Sequence, residues 1–185
     1  LYWQLRYRIY RSRKNKTVPF VKTKQFQVPI FDWVNKKSFI NESKIELINI
    51  NKPYQLPSLW EDKSGDDLWF YNIHYFDYIN APNVESDLKY KLVNSWIDNV
   101  ACNSAGWQAY PTSLRIVNWI KWVIQNGITD QKILQSLYSQ CCHLDKNIER
   151  HILANHLFAN IKAMLIAGLF FDSVKSIRWV KKYTA

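Results

Sequence analysis

From Leu157 to Phe171 the only polar side chains are Asn160 and Lys162, and this run predicts a helix that begins near Asn155 and is buried almost all round. Ala159, Ala163 and Ala167 recur at four-residue spacing, which makes one face smooth enough for close helix packing. Upstream, Leu88, Leu92, Trp96 and Val100 mark a helix over about 84–100. Thr112 is a good N-cap for a further helix that stops near Gly127, with Arg115, Asn118, Trp119 and Trp122 on one face. Asp130 opens the next, whose stripe is Ile133, Leu137, Cys141, Leu144 and Ile148, and 173–183 reads as the start of another. Consecutive amphipathic helices with short links imply antiparallel helical hairpins, so the fold is predicted to be mainly α. Before them, residues 17–57 are punctuated by Pro19, Pro29, Pro53 and Pro57 and read as irregular connections with short strands at Phe26-Gln27-Val28 and Ile45-Glu46-Leu47-Ile48. The chain therefore divides into a basic, irregular segment over 1–60 and a helical part over 61–185, entered through the polar turn Glu61–Asp67.

Composition narrows the classes. Apolar residues make up 48% and aromatics 16% of the 185 residues, a globular balance, while glycine occurs only 4 times. Tight hairpins and phosphate-cradling loops lean on glycine, so an all-β fold or a nucleotide-binding loop is excluded as a leading reading. Residues 1–24 carry eight basic side chains and no acid, which accounts for eight of the ten net positive charges. In residues 1–16, Tyr2, Leu5 and Ile9 can form an apolar stripe flanked by arginines. Two readings of it are open: a membrane-surface or nucleic-acid helix, or a docking helix whose arginine stems cover the edge of the domain. The second is the leading one, and no nucleic-acid partner is expected. The odd cysteine count, with Cys141 and Cys142 adjacent, argues against a disulfide framework. On a helix, Cys141, Cys142 and His143 point about 100° apart, so neither a metal nor another cofactor is expected. No apolar run is long enough to predict a transmembrane helix. Because the first residue is Leu1, the native start is expected to be missing.

Two stretches carry candidate chemistry. Leu68-Trp-Phe-Tyr-Asn-Ile-His-Tyr-Phe-Asp-Tyr78 mixes rings with amide, imidazole and carboxylate groups, the combination that sugar rings need, although some of these rings must be core. At Asn155-His156, an amide and an imidazole sit where a helix N-terminus favours an anion, and a carboxylate would be welcome. Asn155 also reads as a simple N-cap, and His156 as a hydrogen-bonded structural residue. The Arg115 face, with its guanidinium, amide and two indoles, reads equally as an acidic-sugar surface or as an ordinary helix interface.

Taken in order, the block Leu68–Asp77, the block Trp107-Gln-Ala-Tyr-Pro-Thr-Ser-Leu-Arg-Ile-Val-Asn-Trp119 and the block Asn155-His-Leu-Phe-Ala-Asn160 resemble the N-terminal helical domain of the heparinase II/III family of polysaccharide lyases. That resemblance implies part of an incomplete (α/α) toroid that cleaves uronic-acid polysaccharides by β-elimination. The proton at C5 of the uronate leaves, charge builds on the carboxylate, and the oxygen at C4 departs. In such a site the Asn155 amide would bond the uronate carboxylate and His156 would lie near the proton transfer, while Tyr75, Trp107 and Arg115 would line the cleft and bind substrate. His74 lies in a matching block but is assigned no catalytic role. The resemblance further implies a periplasmic protein, a cytoplasmic location being the alternative, and an acidic polysaccharide partner of heparan sulfate-like or alginate-like kind. Family members continue into more toroid helices bearing a tyrosine acid/base and then into a β-sandwich with another histidine. The chain is therefore expected to be an N-terminal fragment with little activity alone, and Tyr183 is not taken as that tyrosine. A different reading is a non-catalytic helical module that binds an acidic polysaccharide or a protein partner.

Overall fold

The computed structural model describes residues 19–25, 39–152 and 154–184. The apolar stripe of residues 1–16 and the strand expected at Phe26-Gln27-Val28 lie outside them. Three short strands, β1 (Phe39–Ile40), β2 (Lys44–Leu47) and β3 (Ile50–Pro53), form an antiparallel meander in the order β1-β2-β3. Ile45 pairs with Ile40 on one side and with Lys52 on the other. Along β2, Ile45 and Leu47 are buried while Lys44 is exposed, the two-residue period of a half-buried strand. Ile48 and Asn49 make the turn into β3 with φ of 48° and 64°, the left-handed pair that a two-residue hairpin requires.

Six α-helices follow. Asp66 accepts a hydrogen bond from the backbone N–H of Leu68 and so starts α1 (Asp67–Ile73) at the end of the polar turn. After a short 3₁₀ turn at Asp77–Asn80 come α2 (Ser86–Asn99) and α3 (Ala109–Gln125). Next are α4 (Gln131–Lys146), α5 (Asn155–Phe170) and α6 (Val174–Thr184). The protein is thus mainly helical. Asp130 caps α4 as expected, its carboxylate accepting from Lys132 and Ile133, and Ile133, Leu137, Cys141, Leu144 and Ile148 are all buried. Gly127 ends α3 at a φ of 59°, a conformation that glycine adopts without strain.

Three expectations are corrected. Thr112 does not cap α3: the helix begins at Ala109, Gln108 is the cap residue, and Pro111 fits the first turn because the N–H it lacks would have no helical acceptor there. Asn155 is not a cap either, since Ala154 occupies that place with φ 65° and ψ −123°. Nor is α5 buried all round. Its alanine face packs inward, with Ala163 and Ala167 at 0% exposure, but Phe158 is 69% and Leu169 is 53% exposed. A helix that packs against α3 on one side and α6 on another still keeps a third side open.

The core runs through sheet and helices alike. Phe76 stacks on Trp60 at 5.5 Å and meets Trp119 edge-on at 5.3 Å, while Trp96 lies 5.6 Å from both Trp107 and Trp119. Segment 19–25 joins this body by backbone bonds, Lys24 N–H to the Phe170 carbonyl and Asp172 N–H to the Lys22 carbonyl, both 2.9 Å. The Gln131 amide grips Val21 at both its N–H and its C=O. Both described parts of the first 60 residues therefore pack on the helical part.

Candidate functional site

The first turn of α5 presents its unpaired backbone N–H groups beside Asn155, which is exposed, and His156, which is partly so. Ala154 turns the chain sharply into this helix, and its positive φ lets Asn155 begin the helix without a side-chain cap. No hydrogen bond ties down the Asn155 amide among the described residues. By three- and four-residue spacing Asn155, Phe158 and Lys162 share one exposed face of α5, and the Lys162 ammonium stands 5.9 Å from the Phe158 ring. An amide, an aromatic plane and a cation in a row suit an acidic sugar.

His156 is held on two sides. Its ring stacks on Tyr110 of α3 at 4.2 Å with 25° between the planes, and its Nδ1 is 3.1 Å from Oε2 of Glu149. Tyr110 in turn meets Tyr75 edge-on at 5.9 Å. One patch thus gathers Tyr75, Tyr110, Glu149, Asn155 and His156 from three separate stretches of chain. Burial, with the charges of Tyr110, Tyr71 and Asp77 adding to it, pushes the Tyr75 hydroxyl up to about 12. It stays protonated through the neutral range and can donate a hydrogen bond but does not serve as a base there.

The structure places the other two expected substrate contacts inside the protein. Arg115 has no exposed surface, and every nitrogen of its guanidinium is engaged. Nε donates to Gln140 at 2.8 Å, Nη1 to the carbonyls of His74 and Gly106 at 3.0 and 2.8 Å, and Nη2 to Thr112 at 3.3 Å. Its plane lies 3.9 Å over the Trp96 ring, and burial draws its pKa down to about 9. Trp107 is 7% exposed and donates its indole N–H to the Val100 carbonyl. Neither side chain lines a surface cleft, and both act instead as internal struts. Trp119 and Trp122, on the same helix face as Arg115, are also buried, and Asn118 donates to the Tyr75 carbonyl at 2.8 Å, so that face is an interface.

Three further titratable groups hold the fold together. His74 is fully buried and accepts the Trp96 indole N–H at Nδ1, and desolvation together with the Arg115 charge holds it down to about 3. His143 donates Nε2–H to the Trp107 carbonyl at 2.9 Å, and burial depresses it to about 4. The Tyr183 hydroxyl donates to Asp145 at 2.8 Å, tying α6 to α4, and burial beside that carboxylate pushes it well above the usual tyrosine range. Among the described residues no three His, Cys, Asp or Glu side chains converge to hold a metal ion.

Glu149 and Tyr110 were not singled out from the sequence. Glu149 sits in the connection between α4 and α5, seven residues before His156, where no helical spacing relates them. Tyr110 belongs to the first turn of α3 and meets α5 only through packing. Comparison of the chain with protein families, curated proteins and solved structures finds no match.

Proposed function

We propose that this chain is the N-terminal, helical part of a polysaccharide lyase that cleaves a uronic-acid polysaccharide by β-elimination. The resemblance of the three sequence blocks suggests it, and one observation supports it most. His156 and Tyr75, assigned to the site from two separate blocks, are bridged by the ring of Tyr110 on one partly exposed patch, and the exposed Asn155 precedes His156 directly in the chain. On this reading the Asn155 amide and the free N–H groups of the first α5 turn take up the charge that develops on the uronate carboxylate. His156 then lies within reach of the C5 proton, and Phe158 offers a plane for a neighbouring sugar. Arg115 and Trp107 keep no contact role. The helices form one section of an (α/α) toroid in a periplasmic enzyme. Leu169, Val174 and Ile177, 53%, 70% and 50% exposed on either side of the turn between α5 and α6, offer an apolar face for its further helices.

The test is the full-length protein incubated with a panel of heparan sulfate-like and alginate-like polymers, with formation of the unsaturated sugar followed by absorbance. Asn155→Ala and His156→Ala are expected to cut elimination by about a hundredfold or more while the fold persists. Turnover unaffected by both changes would sink the reading. The burial of Arg115 and Trp107 favours a second reading, a non-catalytic module that binds an acidic polysaccharide or a protein partner. Saturable binding of the polymers with no product from any of them would select it.

A further inference from the structure

We infer that Glu149 is a positioning residue that fixes the tautomer and the direction of His156, an inference that takes its catalytic meaning from the lyase reading above. A carboxylate facing a histidine at a protein surface is ordinarily worth little. What sets this pair apart is the buried anchor behind it. Asn160 has no exposed surface and holds Glu149 twice, its Oδ1 accepting the Glu149 backbone N–H at 2.9 Å and its Nδ2 donating to Oε2 at 3.4 Å. Nδ2 also donates to Oγ of Ser113 at 2.9 Å, and Ser113, itself fully buried, donates its hydroxyl hydrogen bond to the Ala109 carbonyl at 2.8 Å.

The Glu149 backbone N–H can only donate, and the two hydrogens of the Asn160 amide nitrogen meet one acceptor each, so the directions are determined. Asn160 must present oxygen to the Glu149 N–H and nitrogen to Ser113 and the carboxylate. The carboxylate accepts only, so a neutral His156 carries its proton on Nδ1. Nε2 is left with its lone pair and without a partner among the described residues. Stacking on Tyr110 fixes the ring plane, and the bond to Glu149 fixes rotation within that plane. A histidine left alone in water prefers the opposite tautomer, with the proton on Nε2. Glu149 thereby converts His156 into a group whose unpartnered nitrogen accepts a proton, the role that proton abstraction at C5 demands.

The tautomer is readable without any substrate. In the uniformly ¹⁵N-labelled full chain, at a pH about two units above the ordinary histidine value, the two ring nitrogens of His156 are resolved by long-range ¹H–¹⁵N correlation and assigned by their loss in His156→Gln. The expected result is a protonated-type shift at Nδ1 and an unprotonated-type shift at Nε2. Glu149→Ala should exchange the two, whereas Glu149→Gln, whose amide oxygen still accepts, should leave them as they are. A wild-type spectrum with the proton on Nε2 overturns the inference by itself, even if Glu149→Ala does not fold. An unchanged tautomer in a folded Glu149→Ala overturns it as well. Absence of elimination with the Nδ1–H tautomer in place would count against the lyase reading and leave the positioning role standing.

Discussion

Arg115 shows how a single side chain can look like a binding residue and be a core residue. A guanidinium presents five donors in a rigid fork, which suits a carboxylate ligand and suits equally well a cluster of carbonyls left over at element ends. Here the fork collects the His74 carbonyl after α1, the Gly106 carbonyl before α3 and the Gln140 amide of α4. Arg115→Met is therefore expected to lower unfolding stability by about 3 kcal/mol or more, because three buried acceptors lose their donor. Urea denaturation measures this, and a change under about 0.5 kcal/mol, ordinary for an exposed arginine, would contradict the assignment. The buried imidazoles make a separate prediction at the same scale. The unfolded chain takes up a proton near 6.5 that native His74, at about 3, and His143, at about 4, refuse. Folding is thus fully supported above pH 6.5 and loses about 1 kcal/mol per pH unit for each imidazole as the pH falls toward 4. Urea midpoints at pH 7, 5.5 and 4.5 should decline in step, and equal midpoints would refute the depressed values.

At the scale of the element, one small residue within α5 and another at its N-cap should act in opposite directions when replaced. Gly168 packs against α6 so closely that an added Cβ would lie 2.8 Å from the Val180 methyl and 3.0 Å from the Ser176 carbonyl oxygen. Gly to Ala inside a helix normally stabilises by about 1 kcal/mol. Here the backbone of α6 cannot give way, so Gly168→Ala is expected to destabilise by about 1–3 kcal/mol. Ala154 is the reverse case, an L residue with φ of 65° and ψ of −123°. Ala154→Gly should relieve strain on the order of 1–2 kcal/mol, set against roughly half of that in backbone entropy, for a net gain of about 0.5–1 kcal/mol. Thermal unfolding of both variants should move the midpoint down for the first and up for the second. Because Ala154 leads straight into Asn155, its conformation also aims the site.

For the whole molecule, the aromatic residues decide the architecture more than any one helix does. Nine tryptophans and eleven tyrosines in 185 residues are too many for a surface. Trp60, Trp69, Trp96, Trp107, Trp119 and Trp122 are all buried, joining sheet and helices in one core. That core pins α3, and the first turn of α3 carries Tyr110 to His156, so the site rests on a rigid base rather than on a mobile loop. Segment 19–25, hydrogen-bonded to the end of α5 and to Gln131 of α4, braces the opposite end of the same helix.

The periodicities of the sequence by themselves determined that the chain is mainly helical, where α2, α4, α5 and α6 run, and that Asp130 caps α4. These are local matters, settled by spacing along one element and by side chains that bond to their own backbone. The resemblance of its blocks proposes Asn155, His156 and Tyr75 as site residues, but gives no sign of the Tyr110 ring that lies between His156 and Tyr75. Only the tertiary structure decided which face of α3 is inside, because a guanidinium and two indoles at helical spacing carry no sign of what will cover them. It alone brought Glu149 and Tyr110 to His156, since contacts across 7 and 46 residues without a shared period leave no mark on a linear pattern. And it sent Arg115 and Trp107 inward, where the unpaired carbonyls that needed them exist only once the helix ends have met.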